Sequence, residues 1–98
     1  MAAAYAVEYR PEVEEEDLRP LPHNLQSRIL RAIESRLMIE PARYGQRLRR
    51  SLLGLWKLRV GDYRIVYEVQ GKKVRVWAIC HRKEAYDIAE GRWPSSAS

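Results

Sequence analysis

A single cysteine, Cys80, leaves this 98-residue chain unable to form an internal disulfide, which fits a compartment where thiols stay reduced. It also excludes zinc sites built from paired cysteines. The two histidines, His23 and His81, stand far apart and have no metal-ligand companions at a usual spacing. No apolar run approaches the ~20 residues that a membrane-spanning helix needs. The start, Met1-Ala2-Ala3-Ala4-Tyr5, lacks a basic region followed by an apolar stretch, so no secretory signal is visible. No internal repeat or linker divides the chain. These absences lead to the expectation of a cytoplasmic protein without metal, cofactor or membrane partner. One domain over 1–98 with one modest core is expected, residues 93–98 (Trp-Pro-Ser-Ser-Ala-Ser) forming a loose tail.

Charge is abundant and unevenly placed. The chain carries a net +5. Residues 1–42 hold five arginines against eight acids, a balance of −3, whereas residues 43–98 hold 13 lysines and arginines against five acids, a balance of +8. Such polarity concentrates a positive field on the second half and favours capture of an anionic partner.

Tyr5 to Tyr9 alternates as a first strand, which Pro11 ends while opening a helix whose Glu12–Glu16 run lies near the positive end of the helix dipole. That acidic run reads as a solvated helix start. Leu21, Leu25, Ile29, Ile33 and Leu37 recur at four-residue spacing, with Arg28, Arg31, Glu34 and Ser35 between them, and predict a second helix that Glu40-Pro41 stops. Ala42 to Leu53 reads as a connection rich in arginine, either a solvated loop or a phosphate-gripping rim. Three strands follow: Gly54–Val60, Tyr63–Val69 after a Gly61-Asp62 turn, and Lys73–Cys80 after a Gln70-Gly71-Lys72 turn. Connections this short force antiparallel neighbours. The fold class expected is α+β in the order β-α-α-β-β-β. A mainly antiparallel sheet packs on two helices, and a short C-terminal helix lies between Arg82 or Lys83 and Glu90.

Period-two alternation sorts the strand residues into two faces. Trp56, Leu58 and Val60, then Tyr63, Ile65, Tyr67 and Val69, then Val74, Val76, Ala78 and Cys80 form apolar sets expected to pack on the helices. The other face is expected to carry Lys57, Arg59, Arg64, Arg75, Trp77 and His81, relieved only by Glu68. A domain gains little from a wall of like charge, so a polyanion such as RNA is the expected partner, with Arg47, Arg49, Arg50, Arg59, Arg75, Trp77 and Lys83 as its contacts. Trp77 is either a platform for a stacked base or lateral cover for the sheet. Cutting RNA further requires groups that move protons and cations that stabilise charge on phosphate. Imidazoles titrate near neutrality and arginines clamp phosphate with forked donors, which singles out His81, Tyr86, Arg64, Arg82 and Lys57.

Lys57-Leu58-Arg59, Gly61-Asp62-Tyr63-Arg64-Ile65-Val66-Tyr67 and His81-Arg82-Lys83-Glu84-Ala85-Tyr86, with Leu48-Arg49, Leu52 and Gly54-Leu55-Trp56 upstream, resemble the RelE branch of the RelE/ParE toxin superfamily. The resemblance spans Tyr5 to Ala89 and is most specific from Gly54 to Tyr86. It implies the toxin of a type II toxin–antitoxin pair that enters the ribosomal A site and cleaves mRNA without metal. In that reaction the 2′-OH attacks the adjacent phosphate, leaving a 2′,3′-cyclic phosphate. It further implies that Lys57 matches a catalytic lysine, Arg64 the phosphate-binding arginine, Arg82 or Lys83 a second arginine, and Tyr86 the tyrosine of the ending. Leu55 stands where the best-studied member of the branch carries a second lysine, which leaves the general base open, with His81 and Tyr86 as the acid/base pair. Implied partners are a cognate antitoxin, the ribosome and mRNA, in a hetero-oligomeric toxin–antitoxin complex that binds DNA through the antitoxin. Two other readings share the fold: a ParE-like, non-enzymatic inhibitor of DNA gyrase, and an RNA-binding relic that no longer cuts.

Overall fold

The computed structural model describes residues 4–48, 54–82 and 84. Strand β1 (Ala6–Tyr9) leads into a first helix over Val13–Leu18, whose π-type winding shows in the bond from the Arg19 N–H to the Glu14 carbonyl (3.1 Å). The second helix runs over His23–Ala32 and continues as π-type turns over Ile33–Leu37. A proline starts the single helical turn Pro41–Tyr44, where its missing N–H costs nothing. Strands β2 (Gln46–Arg47), β3 (Trp56–Val60), β4 (Tyr63–Gln70) and β5 (Lys73–His81) complete the α+β domain. The arginine-rich connection expected over Ala42–Leu53 therefore contains a helical turn and a short strand. The helix expected toward Glu90 lies outside the described residues, apart from turns at Arg82 and Glu84.

The five strands lie in the order β1-β5-β4-β3-β2. All neighbours are antiparallel except β1, which runs parallel to β5. The helices cover one face. Val13, Leu18, Ile29, Ile33 and Leu37 from the helices meet Leu58, Val60, Ile65, Tyr67, Val74, Val76 and Ile79 from the sheet in the main core. The Tyr67 hydroxyl crosses this layer and donates to the Pro41 carbonyl (2.6 Å), tying the short helical turn to β4. A Cβ at Gly45 would overlap that hydroxyl, so the chain approaches β4 there only as glycine.

The alternation expected for β5 is broken. Val66 of β4 pairs with Ala78, but Tyr67 pairs with Val76, which leaves Trp77 as an extra residue in the ladder. A bulge of this kind places two successive side chains on one face and reverses the phase beyond it. Ala78 and Cys80 thus turn away from the helices and join Leu48, Leu55, Val66 and Trp77 in a second apolar cluster on the opposite face. Ile79 turns inward to the main core instead. The expectation of one apolar and one cationic face is corrected accordingly.

Beyond Tyr9 the chain leaves the sheet, and the outer edge of β5 loses its strand partner. Asp17, buried on the first helix, accepts the Ile79 N–H there (2.8 Å). Within an acidic run that otherwise faces solvent, this one carboxylate does the work of a missing strand. Truncating it leaves a buried N–H unsatisfied. Asp17→Ala is expected to lower unfolding free energy by about 1–3 kcal/mol, measured by urea denaturation with an unchanged m-value.

Two phenols give the fold an alkaline limit. Burial, reinforced by the Glu34 and Glu14 carboxylates, pushes Tyr9 up to about 12 from its ordinary 10.0, and burial also raises Tyr67. A phenol held neutral in the folded state ionises first in the unfolded chain. Its stabilisation is fully present below pH 10 and disappears as pH rises to about 12. Urea midpoints are expected to fall across that window, less steeply in Tyr9→Phe.

Candidate nucleic-acid interface

The face that does not meet the helices divides into two electrostatically different ends. Near β1, Arg75 lies 3.7 Å from Glu8 and 3.8 Å from Glu68, Lys73 lies 3.4 Å from Glu8, and Arg10 pairs with Glu12 at 2.6 Å. Exposed pairs of this sort add little stability, but they cancel the local positive field. Arg75, expected to contact RNA, is thereby neutralised. Trp77 is corrected more firmly. It is 3% exposed, its indole N–H donates to Glu68 (3.2 Å), and the Arg10 guanidinium sits 4.4 Å from the ring centre. A base cannot stack on a ring buried in this way. Of the two roles weighed for Trp77, cover for the sheet is the one this geometry supports.

The opposite end gathers cations around the β3–β4 turn. Arg59 and Arg64 face each other directly across the hairpin. Lys57, opposite Val66, stands on the same face as the diagonal neighbour of Arg64, a relation that places Cβ atoms ~7–8 Å apart or less. The Arg64 Nη1 donates to the carbonyls of Gly61 (3.1 Å) and Tyr63 (2.9 Å). Its orientation is thus fixed by neutral backbone, with no counter-charge among the described residues. Arg82 joins the same turn through its N–H, which donates to the Asp62 carbonyl (2.8 Å). Among the described residues, no carboxylate lies within ion-pair distance of Arg59, Arg64 or Arg82.

Not every expected site residue arrives here. The reversed phase of β5 pairs His81 with Tyr63 rather than placing it beside Arg64. The two rings meet edge to face, 5.9 Å apart and inclined at 74°. Tyr63 packs toward the helix-side core, so His81 belongs to that side of the strand end while Lys57 and Arg64 occupy the other. Arg47 pairs with Trp56 and lies over its ring (5.3 Å), also on the helix side. Arg49, Arg50, Lys83 and Tyr86 lie outside the described residues. Sequence reasoning missed Arg28, whose guanidinium rests against the turn. A Cβ at Gly61 would stand 3.2 Å from the Arg28 Nη2. Its position between the core residues of a helix marked it only as solvent-facing.

Among the described residues, no three histidine, cysteine, aspartate or glutamate side chains cluster to hold a metal ion, and no helix is long and apolar enough to cross a membrane. What the site can do with these groups is grip a chain of phosphates. Forked guanidinium donors held by backbone match non-bridging oxygens two at a time.

Comparison with known proteins gives concordant results. The family model for the ParE toxin of the type II toxin–antitoxin system parDE matches residues 7–86. Toxin RelE of Mycobacterium tuberculosis is 33% identical over 72 residues, 71% of this chain and 74% of that protein. The toxin–antitoxin complex RelBE2 of the same organism contains a chain that superposes with a TM-score of 0.73 at 30% identity, covering 81% of this chain and 99% of that one. The archaeal RelE–RelB complex of Pyrococcus horikoshii gives a TM-score of 0.66 at 27% identity, covering 81% and 96%.

Two arginines facing each other across a hairpin repel, and such pairs cost ~0.2–1 kcal/mol. Arg59→Thr is expected to raise unfolding free energy by about that amount in urea titrations while weakening affinity for a single-stranded oligonucleotide. A variant that loses both stability and affinity would mean that Arg59 is held for packing.

Proposed function

As a member of the ParE toxin family, the chain is the toxin of a type II toxin–antitoxin pair, and we propose that it acts as a RelE-type endoribonuclease on mRNA in the ribosomal A site. The observation that carries this reading is the Arg64 guanidinium, fixed by two carbonyls, without a carboxylate partner among the described residues, and beside Arg59, Arg82 and Lys57. The names of the curated relatives, Toxin RelE and Toxin RelG, support it at 33% and 32% identity.

In this proposal the substrate 2′-OH attacks its own 3′-phosphate, the bond to the 5′ oxygen breaks, and a cyclic phosphate remains. Arg64 holds the non-bridging oxygens as charge builds on them, and Lys57 adds a second positive charge from the same face. His81 and Tyr86 carry protons. His81 does so from the far side of the strand end, one residue before Arg82, so a substrate reaching both must bend over the β3–β4 turn. A cognate antitoxin, an acidic and largely disordered polypeptide, silences the site by covering these cations. This is supported by the solved relatives being toxin–antitoxin complexes. The resulting complex is hetero-oligomeric and binds DNA through the antitoxin.

Two observations favour a second reading. The matching family model is named for ParE, and His81 stands across the strand from Lys57 and Arg64. Both suit a non-enzymatic, ParE-like inhibitor of DNA gyrase, or a relic that binds RNA without cutting.

Primer extension on mRNA from cells inducing the chain separates these readings. Ribosome-dependent cuts are expected, with Arg64→Ala and Lys57→Ala each losing on the order of 100-fold, the scale of removing a charge-stabilising group. His81→Ala is expected to lose on the order of 100-fold or more as well, the scale of removing a positioned acid or base. Intact mRNA together with inhibited supercoiling would sink the endoribonuclease reading.

A further inference from the structure

The second helix carries two stripes. Ile29, Ile33 and Leu37 bury themselves against the sheet, while Arg28, Arg31, Ala32, Ser35 and Arg36 recur at three- and four-residue spacing along the flank that faces β3. Glu34 falls on the opposite flank, close enough to Tyr9 to raise its pKa. Between the arginine flank and the end of β3 lies an open recess of about 380 Å³, bounded by Arg28, Arg31, Ser35, Arg36, Arg59 and Gly61. Four of these residues are exposed arginines, and none is acidic.

We infer that this recess is a second phosphodiester-binding site, which seats the sugar–phosphate backbone of a single-stranded RNA away from the reacting linkage. The inference rests on the endoribonuclease reading for the identity of its polymer, and adds to it a track on the helix side of the hairpin. Three features of the recess support it. Arg28 lies against Gly61 from the helix side, while Arg64 donates to the Gly61 carbonyl from the strand side. The two cationic patches therefore meet at one turn, with Arg59 belonging to both. Forked guanidiniums suit successive phosphates.

The third feature decides between nucleic acid and an acidic polypeptide. A disordered peptide that orders on binding needs apolar anchors to offset the entropy it loses. The apolar side chains lining the recess are Val60, which is buried, and Ala32, which is half-buried. A ligand recognised there is held by charge, as a phosphate backbone is.

The test uses fluorescein-labelled dT20, which lacks the 2′-OH and cannot be cut, and U20, with anisotropy followed from 50 to 300 mM salt. Each phosphate contact on a single strand contributes ~0.7 to the slope of log K against log salt. Arg28→Gln/Arg31→Gln/Arg36→Gln is expected to reduce that slope by ~2, which is ~36-fold in affinity over this sixfold salt change. Arg28→Gln and Arg31→Gln alone should each remove ~0.7, so the outcome does not depend on the triple variant folding. Arg19→Gln, on the far side of the helix pair, should leave the slope unchanged. An unchanged slope in the arginine variants overturns the inference. So does a loss confined to binding of a polyglutamate peptide, which would assign the recess to an acidic protein. Because dT20 reports binding without cleavage, a chain that fails to cut mRNA but shows the slope change refutes the enzyme while keeping the recess. A chain that cuts with an unaltered slope does the reverse.

Discussion

One additional residue in β5 decides which side chains can act together. With Trp77 inserted between Val76 and Ala78, the strand before the bulge places its even-numbered residues in the main core, and the strand after it places them on the opposite face. The bulge persists because its surroundings make good on what it disrupts. Trp77 fills the second apolar cluster and donates its indole proton to Glu68. Asp17 accepts the Ile79 N–H, which has no strand beside it once β1 has ended. Buried hydrogen bonds to a charged group are worth ~1.5–3 kcal/mol when complete, and removing one partner leaves the other buried and unsatisfied. The position of Cys80 opposite Arg64, and of His81 opposite Tyr63, follows from this local exchange of a ladder position for a carboxylate.

The order of elements, the antiparallel hairpins and the buried stripe of the second helix were legible because each rests on a local period. Four-residue spacing from Leu21 to Leu37 and the turn signals at Gly61-Asp62 and Gln70-Gly71-Lys72 carry their structural meaning within a few residues, although Gln70 itself belongs to β4. The bulge was not legible. Val74-Val76-Ala78-Cys80 is a clean apolar alternation, yet its last two members face away from the helices. Trp77 and Ile79 are apolar enough for either face, so composition could not reveal where the phase reverses. Asp17 was hidden for a related reason. It lies within Glu14-Glu15-Glu16-Asp17, where three neighbours are solvent-exposed, and only the end of β1, many residues away in the sheet, gives it a partner.

Charge in this domain is sorted by what each cation can find nearby. Arg75, Lys73 and Arg10 stand beside Glu8, Glu68 and Glu12 and are compensated. Arg59 and Arg64 oppose one another instead, an arrangement that costs stability in a folded sheet. Natural proteins accept such local costs where function needs uncompensated charge. The cationic character inferred for a whole face therefore contracts to one end of it, and that end is the more selective for having a neutralised neighbour. The polyanion of the proposed function would accordingly engage the β3–β4 turn and not the whole sheet.

The turn itself explains how two sets of arginines can approach each other. Gly61 has a φ of +59°, a conformation in which side chains are disfavoured, and this lets the hairpin close in two residues. The missing Cβ has a further effect, since the space it would occupy lies 3.2–3.4 Å from the Arg28 guanidinium. A larger residue would strain the backbone and also push Arg28 away from the turn whose carbonyl holds Arg64. Guanidinium groups can crowd in this way because they are planar and weakly hydrated, and can present donors on one edge while resting a face on the chain. Lysine ammonium groups, compact and strongly hydrated, would separate. Arginine at positions 28 and 64 therefore suits a turn that is approached from the helix side and from the strand side at once.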